Sequence, residues 1–132
     1  MSATVHIHSF GFRRSGMPAD TLGNGGGFVF DCRFLPNPVY VPDLSALSGM
    51  DDAVVAYLSE FSAVRAFVEH VCAIVDSAVE VYQVREYENL HVSFGCTGGQ
   101  HRSVYCAERL AEHLRERALQ VNLIHTEKGL YW

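Results

Sequence analysis

The residues best placed to do chemistry in this chain are eight in a row: Cys96-Thr97-Gly98-Gly99-Gln100-His101-Arg102-Ser103. An apolar run, Leu90 to Gly95, precedes them, and an amphipathic stretch from Ser103 to about Ala118 follows. The pattern is strand, tight glycine turn, helix start. Gly98 and Gly99 tolerate positive φ, so successive backbone N–H groups can turn inward as an anion nest. The helix N-terminus adds unpaired donors and partial positive charge. Arg102 adds a rigid fork of donors, and Thr97, His101 and Ser103 extend the set. The chemistry is recognition of a phosphate-sized anion.

Cys96 and Arg102 also form C-x5-R followed by Ser, the spacing of cysteine-dependent phosphatases. A thiol facing a helix N-terminus and an arginine has a depressed pKa, and its thiolate can attack phosphorus. Against catalysis, Gly95 rather than His precedes the cysteine, and no mobile loop presents an obvious general acid, Asp31 and Asp20 being the remote candidates. Catalytic roles for Cys96 and Arg102 are therefore the alternative to simple binding. His101 either donates to the anion or caps the helix. His6 and His8 share one face of the first strand, but no third ligand stands at recognisable spacing, so they read as ordinary strand histidines and no metal is expected. Gly23-Asn24-Gly25-Gly26-Gly27 matches no nucleotide fingerprint and reads as a flexible connector.

The elements that must position this loop follow from periodicity. Strands are expected at Thr4–Ser9, at Phe28–Phe30 (a buried one), at Leu90–Gly95 and at Val121–His125. Helices are expected at Asp51–Ser59, at Phe61 to about Val84 and at Ser103–Ala118. Pro36 and Pro38 make Asp31 to Pro38 a stiff loop. Strands alternating with helices imply a three-layer α/β domain with a mainly parallel sheet of about four strands. Ligands of such sheets bind beyond the carboxyl ends of the strands. The unusual sequences, Ser9–Arg13, Asp31–Pro38 and Cys96–Ser103, fall at those ends, with His125 as a fourth candidate.

A chain of 132 residues, 48% hydrophobic and 19% charged, is one ordinary globular domain, residues 1–132. No apolar run is long enough to cross a membrane and no secretory pattern opens the chain, so a cytoplasmic location is expected. Four dispersed cysteines without CxxC exclude zinc ribbons and disulfide scaffolds. A formal charge of −5 argues against nonspecific nucleic-acid binding. The cations are nine Arg and one Lys, a bias suited to bidentate anion recognition, with Arg13, Arg33 and Arg102 inside motif-like stretches.

Three blocks carry a family resemblance: Ser9-Phe10-Gly11-Phe12, Phe28-Val29-Phe30-Asp31-Cys32-Arg33-Phe34-Leu35-Pro36-Asn37-Pro38, and Gly95 through Tyr105. In content and order they resemble the C-terminal domain of the RNase adapter RapZ (YvcJ) family, over nearly the whole chain. Pro18-Ala19-Asp20 is similar to the segment between the first two strands, and Gly23–Gly27 looks like an insertion. The resemblance implies an α/β domain that binds glucosamine 6-phosphate, with a small regulatory RNA and self-association as further properties. Full-length relatives carry an N-terminal P-loop domain, so this sequence looks like a free-standing C-terminal module. The family's basic tail is replaced here by Ile124 to Trp132 with one lysine. The expected site holds phosphate with Cys96, Thr97, Gly98, Gly99, Gln100, His101, Arg102 and Ser103. Asp31 and Arg33 either face the sugar or pair with each other, and Asn37 and Ser9 are candidates for hydroxyl contacts. The expected protein is a non-catalytic sensor or adapter without cofactor. Its partner would be a hexosamine phosphate, with RNA, a partner protein or a second copy of the chain as further possibilities.

Overall fold

A computed structural model of the chain describes residues 3–20 and 26–132. Every expected element is present. The strands are β1 (Thr4–Gly11), β2 (Gly27–Asp31), β3 (Asn89–Cys96) and β4 (Gln120–His125); the helices are α1 (Asp52–Ser59), α2 (Ser62–Arg85) and α3 (Arg102–Glu116). A short 3-10 turn at Pro38–Tyr40 starts where Asn37 Oδ1 accepts from Val39 N, a side-chain cap with proline at the first position. Gly23, Asn24 and Gly25 of the expected connector lie outside the described residues.

All four strands are parallel, in the order β2-β3-β1-β4. The connections β2 to β3 and β3 to β4 advance in one direction across the sheet. Right-handed crossovers then place α2 and α3 on the same face. The buried cluster agrees: Val5, Ile7, Leu90, Val92 and Phe94 of the sheet pack with Val71, Val75 and Val79 of α2 and with Leu110 and Leu114 of α3. The β1–β2 connection runs back the other way, so the same rule carries it over the opposite face, where Met17 to Asp20 lie against His8, His91 and Ser93. That connection holds no helix among its described residues. The described part of that connection is coil, and α2 and α3 lie together on the other face.

A correction concerns β2. It pairs only with β3, and Val29 is 49% exposed, so it is an edge strand rather than a buried one. Its core-facing residues remain anchored: Phe30 lies edge-on to Phe67 of α2, with ring centroids 6.0 Å apart. Burial of an aliphatic or aromatic side chain contributes roughly 1.5–3 kcal/mol, so the valine ladder of α2 is a packing stripe. Cys32, Cys96 and Cys106 are buried in the same cluster. A hydrogen bond with Cys106, and then burial, push the Cys32 thiol well above its usual range, while burial pushes Cys72 up to about 11. Neither is a ready nucleophile.

Candidate anion-binding site at the carboxyl ends of β1 and β3

β1 and β3 are neighbours whose following segments leave for opposite faces of the sheet, which makes the gap between their carboxyl ends the switch point where a crevice opens. Beyond Cys96, β1 and the loop stay in contact: Phe12 N donates to Cys96 O at 2.8 Å and Arg13 N to Thr97 O at 3.1 Å. The backbones meet so closely that a Cβ on Gly11 would sit 2.7 Å from the Gly98 carbonyl carbon. Gly99 has φ +69°, and a Cβ there would lie 2.6 Å from Gly11 N and from Glu127 Cγ. Gly98 is different, because its open side meets nothing within 4 Å.

Among the described residues, no backbone carbonyl accepts from any N–H between Thr97 and Val104. The last three belong to the first turn of α3, a 15-residue helix with no acidic residue in that turn. A row of unpartnered donors at the positive end of a helix is an anion cradle. A cavity of about 260 Å³ opens beside it, lined by Arg14, Asn37, Val39, Tyr40, Cys96, Thr97, Gly98, Gln100, His101 and Arg102.

Arg102 is 4% exposed. Its Nη1 donates to the carbonyls of Arg33 (2.7 Å) and Leu35 (3.1 Å), while Nη2 lies 3.5 Å from Thr97 Oγ1 and buried Nε has no partner. The guanidinium thus ties the rim loop after β2 to the nest and leaves one edge toward Thr97. Gln100 and His101 are committed in a similar way. Gln100 Nε2 donates to Ser45 O and Leu47 O, and Gly49 N donates to Gln100 O. His101 Nε2 meets the Leu44 carbonyl at 3.1 Å, and the ring makes no helix cap. Burial, the leading cause, lowers the His101 pKa, so the ring is neutral at neutral pH. Cys96 Sγ and Ser103 Oγ are 3.1 Å apart in a buried contact.

The remaining expected residues divide. Asn37 lines the cavity. Asp31 and Arg33 pair with each other (2.6 Å), the hydrogen bond from Arg33 holding the Asp31 carboxyl below its usual range, and the Arg33 guanidinium lies 4.1 Å above the Phe12 ring. Ser9 is turned to the helix side, where its Oγ contacts His125 Nδ1 at 2.7 Å and His125 Nε2 meets Glu108 at 2.6 Å. Arg14 lines the cavity where sequence reasoning singled out Arg13. Glu127, also unforeseen, is fully buried and accepts from Gly11 N, Ser15 N and Ser15 Oγ, fixing the turn that carries Arg14. Trp132 Nε1 donates to Gly99 O at 2.9 Å, and Arg14 lies 4.1 Å over the Tyr131 ring. One signal in the sequence pointed to this support: an acidic residue inside an otherwise apolar and basic tail.

Comparison with known proteins agrees with this architecture. The model of the RapZ C-terminal domain matches residues 3–129. A nucleotide-binding protein of Thermotoga sp. (strain RQ2) is 45% identical over 118 residues, 89% of this chain and 40% of that protein. One from Thioalkalivibrio sulfidiphilus is 43% identical over 92% of this chain and 41% of its own length, and one from Limosilactobacillus reuteri is 38% identical over 93% and 40%. The chain thus spans about two fifths of the length of these relatives. With the fold, the rim loops and the glycine turn all accounted for, this chain belongs to the RapZ C-terminal domain family.

Proposed function

We propose that this chain is a non-catalytic sensor or adapter domain of the cytoplasm that binds a phosphorylated metabolite, an amino-sugar phosphate such as glucosamine 6-phosphate. The observation that carries the reading is the run of backbone donors from Thr97 to Val104, unpartnered at the head of α3 and beside Arg102. Phosphate oxygens supply the acceptors those donors lack. Arg14 and the Thr97-facing edge of Arg102 complete the positive rim, while Asn37 and Tyr40 line the volume left for the sugar. No helix among the described residues is long and apolar enough to cross a membrane. An adapter's bound state is read by a partner. With Arg33 paired to Asp31 and a formal charge of −5, a protein reader fits better than RNA.

Calorimetric titration with glucosamine 6-phosphate, with phosphate and glucosamine as controls, tests this directly, and released phosphate is assayed in the same cell. Saturable sugar-phosphate binding without turnover is the expected result. Phosphate release that disappears in Cys96→Ser would make the protein a phosphatase instead.

A further inference from the structure

The charges around the nest decide which anion it prefers. No aspartate or glutamate is among the described residues that line its cavity, and the cations there are Arg14 and Arg102, because burial keeps His101 neutral. Arg102 is held by the neutral carbonyls of Arg33 and Leu35, which accept its hydrogens and leave its charge. Its buried Nε is without a partner. The opposite charge lies against the loop as well. Glu127 is fully buried, and a Cβ on Gly99 would sit 2.6 Å from its Cγ. A carboxylate so close to the nest opposes the attraction that Arg102 offers an anion, so the second cation carries more weight.

Arg14 is exposed, yet its placement is fixed three times over. Arg14 N donates to Gly11 O at 3.0 Å, and Glu127 accepts from Gly11 N and from Ser15 N and Oγ, which closes the turn on both sides of it. Its stem crosses Gly11, where a Cβ would meet Arg14 Cγ at 2.9 Å. Its guanidinium lies 4.1 Å over the Tyr131 ring. That ring is itself fastened: Tyr131 N donates to Glu127 O at 2.9 Å, and the next residue, Trp132, donates to Gly99 O. Among the described residues no carboxylate pairs with Arg14. An ion pair would neutralise the guanidinium, whereas a ring face positions it and leaves its charge and edge donors for an anion. A phosphomonoester carries about −1.5 to −2 charge near neutral pH, and a sulfate ester of the same shape carries a single charge. Resting on the sugar-phosphate reading above, we propose that Arg14, seated on Tyr131, is the specificity-determining cation of this site. It selects a doubly charged phosphomonoester over the singly charged sulfate ester of the same sugar.

The test is titration calorimetry at about pH 7.5, where the second phosphate proton is off, with glucosamine 6-phosphate and glucosamine 6-sulfate as the two probes. The wild type binds the phosphate roughly tenfold or more tighter than the sulfate, and Arg14→Gln loses most of that preference by losing phosphate affinity. Tyr131→Leu loses part of it, and Tyr131→Phe, which keeps the ring face, restores it. In the Arg14→Gln background Tyr131→Leu changes nothing further. Both side chains are exposed, so the denaturant midpoints of these variants stay near the wild-type value. An Arg14→Gln variant weakened by the same factor for both probes overturns the proposal, as does a wild type that binds both alike. Tyr131→Leu with the full wild-type preference overturns the role of the ring. A wild type that binds neither probe removes the anion site itself, and the selectivity of Arg14 with it.

Discussion

The Trp132 indole N–H donates to the carbonyl of Gly99 at 2.9 Å, so the only tryptophan of the chain is hydrogen-bonded to the centre of the anion nest. Glu127 supports the same glycine from behind, its Cγ occupying the space a Cβ on Gly99 would need. The tail after β4 is therefore part of how the loop is held. Intrinsic fluorescence should report occupancy of the nest. Titration with phosphate or glucosamine 6-phosphate should shift or quench Trp132 emission along the same curve as calorimetry. Emission that stays constant through saturation would show that the tail does not sense the loop.

Gly98 and Gly99 should respond in opposite ways to alanine. At Gly99 the left-handed backbone alone costs roughly 1–2 kcal/mol, and the new methyl meets the Gly11 backbone. Gly99→Ala should lower the denaturant midpoint clearly. At Gly98 the methyl enters open space, so Gly98→Ala should stay within about 0.5 kcal/mol of wild-type stability. It should nevertheless lose anion affinity, because that space adjoins the cavity. Equal affinity for Gly98→Ala and wild type would place the ligand elsewhere.

Arg102 has two roles that one substitution removes together and another separates. Arg102→Ala leaves the Arg33 and Leu35 carbonyls without their charged donor, and such bonds contribute roughly 1.5–3 kcal/mol each. Both folding stability and phosphate affinity should fall. Arg102→Lys keeps the charge but cannot span two carbonyls and an anion at once. Its stability should fall between wild type and alanine, with affinity closer to alanine. Denaturant midpoints and calorimetry on the same preparations check both statements. An alanine variant that binds phosphate as tightly as the wild type would remove Arg102 from the site.

Stability should fall on mild acidification. The His8 and His101 pKa values are lowered in the fold, chiefly by burial, from an ordinary value of 6.5. The unfolded chain therefore takes up protons that the folded chain refuses. The stabilisation is complete above pH 6.5 and is lost as pH falls through the unfolded value toward the lowered folded ones. Thermal melts should be flat above about pH 7 and decline below about 6.5. His8→Gln should flatten part of that decline. A decline of unchanged steepness in this variant would assign it to other groups.

Local pattern in the sequence determined the elements and the chemistry of the loop. Alternation marked the first strand and short apolar runs marked the second and third, the three- and four-residue spacing of valines marked α2, and two glycines between an apolar run and an amphipathic helix marked the nest, because backbone periodicity and glycine's freedom act over neighbouring residues. The tertiary structure decided which side chains the loop keeps for a ligand. Gln100, His101 and most of Arg102 looked like free donors but bond to the carbonyls of Leu44, Ser45, Leu47, Arg33 and Leu35, partners more than fifty residues away in sequence. Strand order likewise put both long helices on one face and left His8 and His91 facing a coil. Periodicity cannot carry that information, because strand order and crossover direction depend on contacts between segments far apart in the chain.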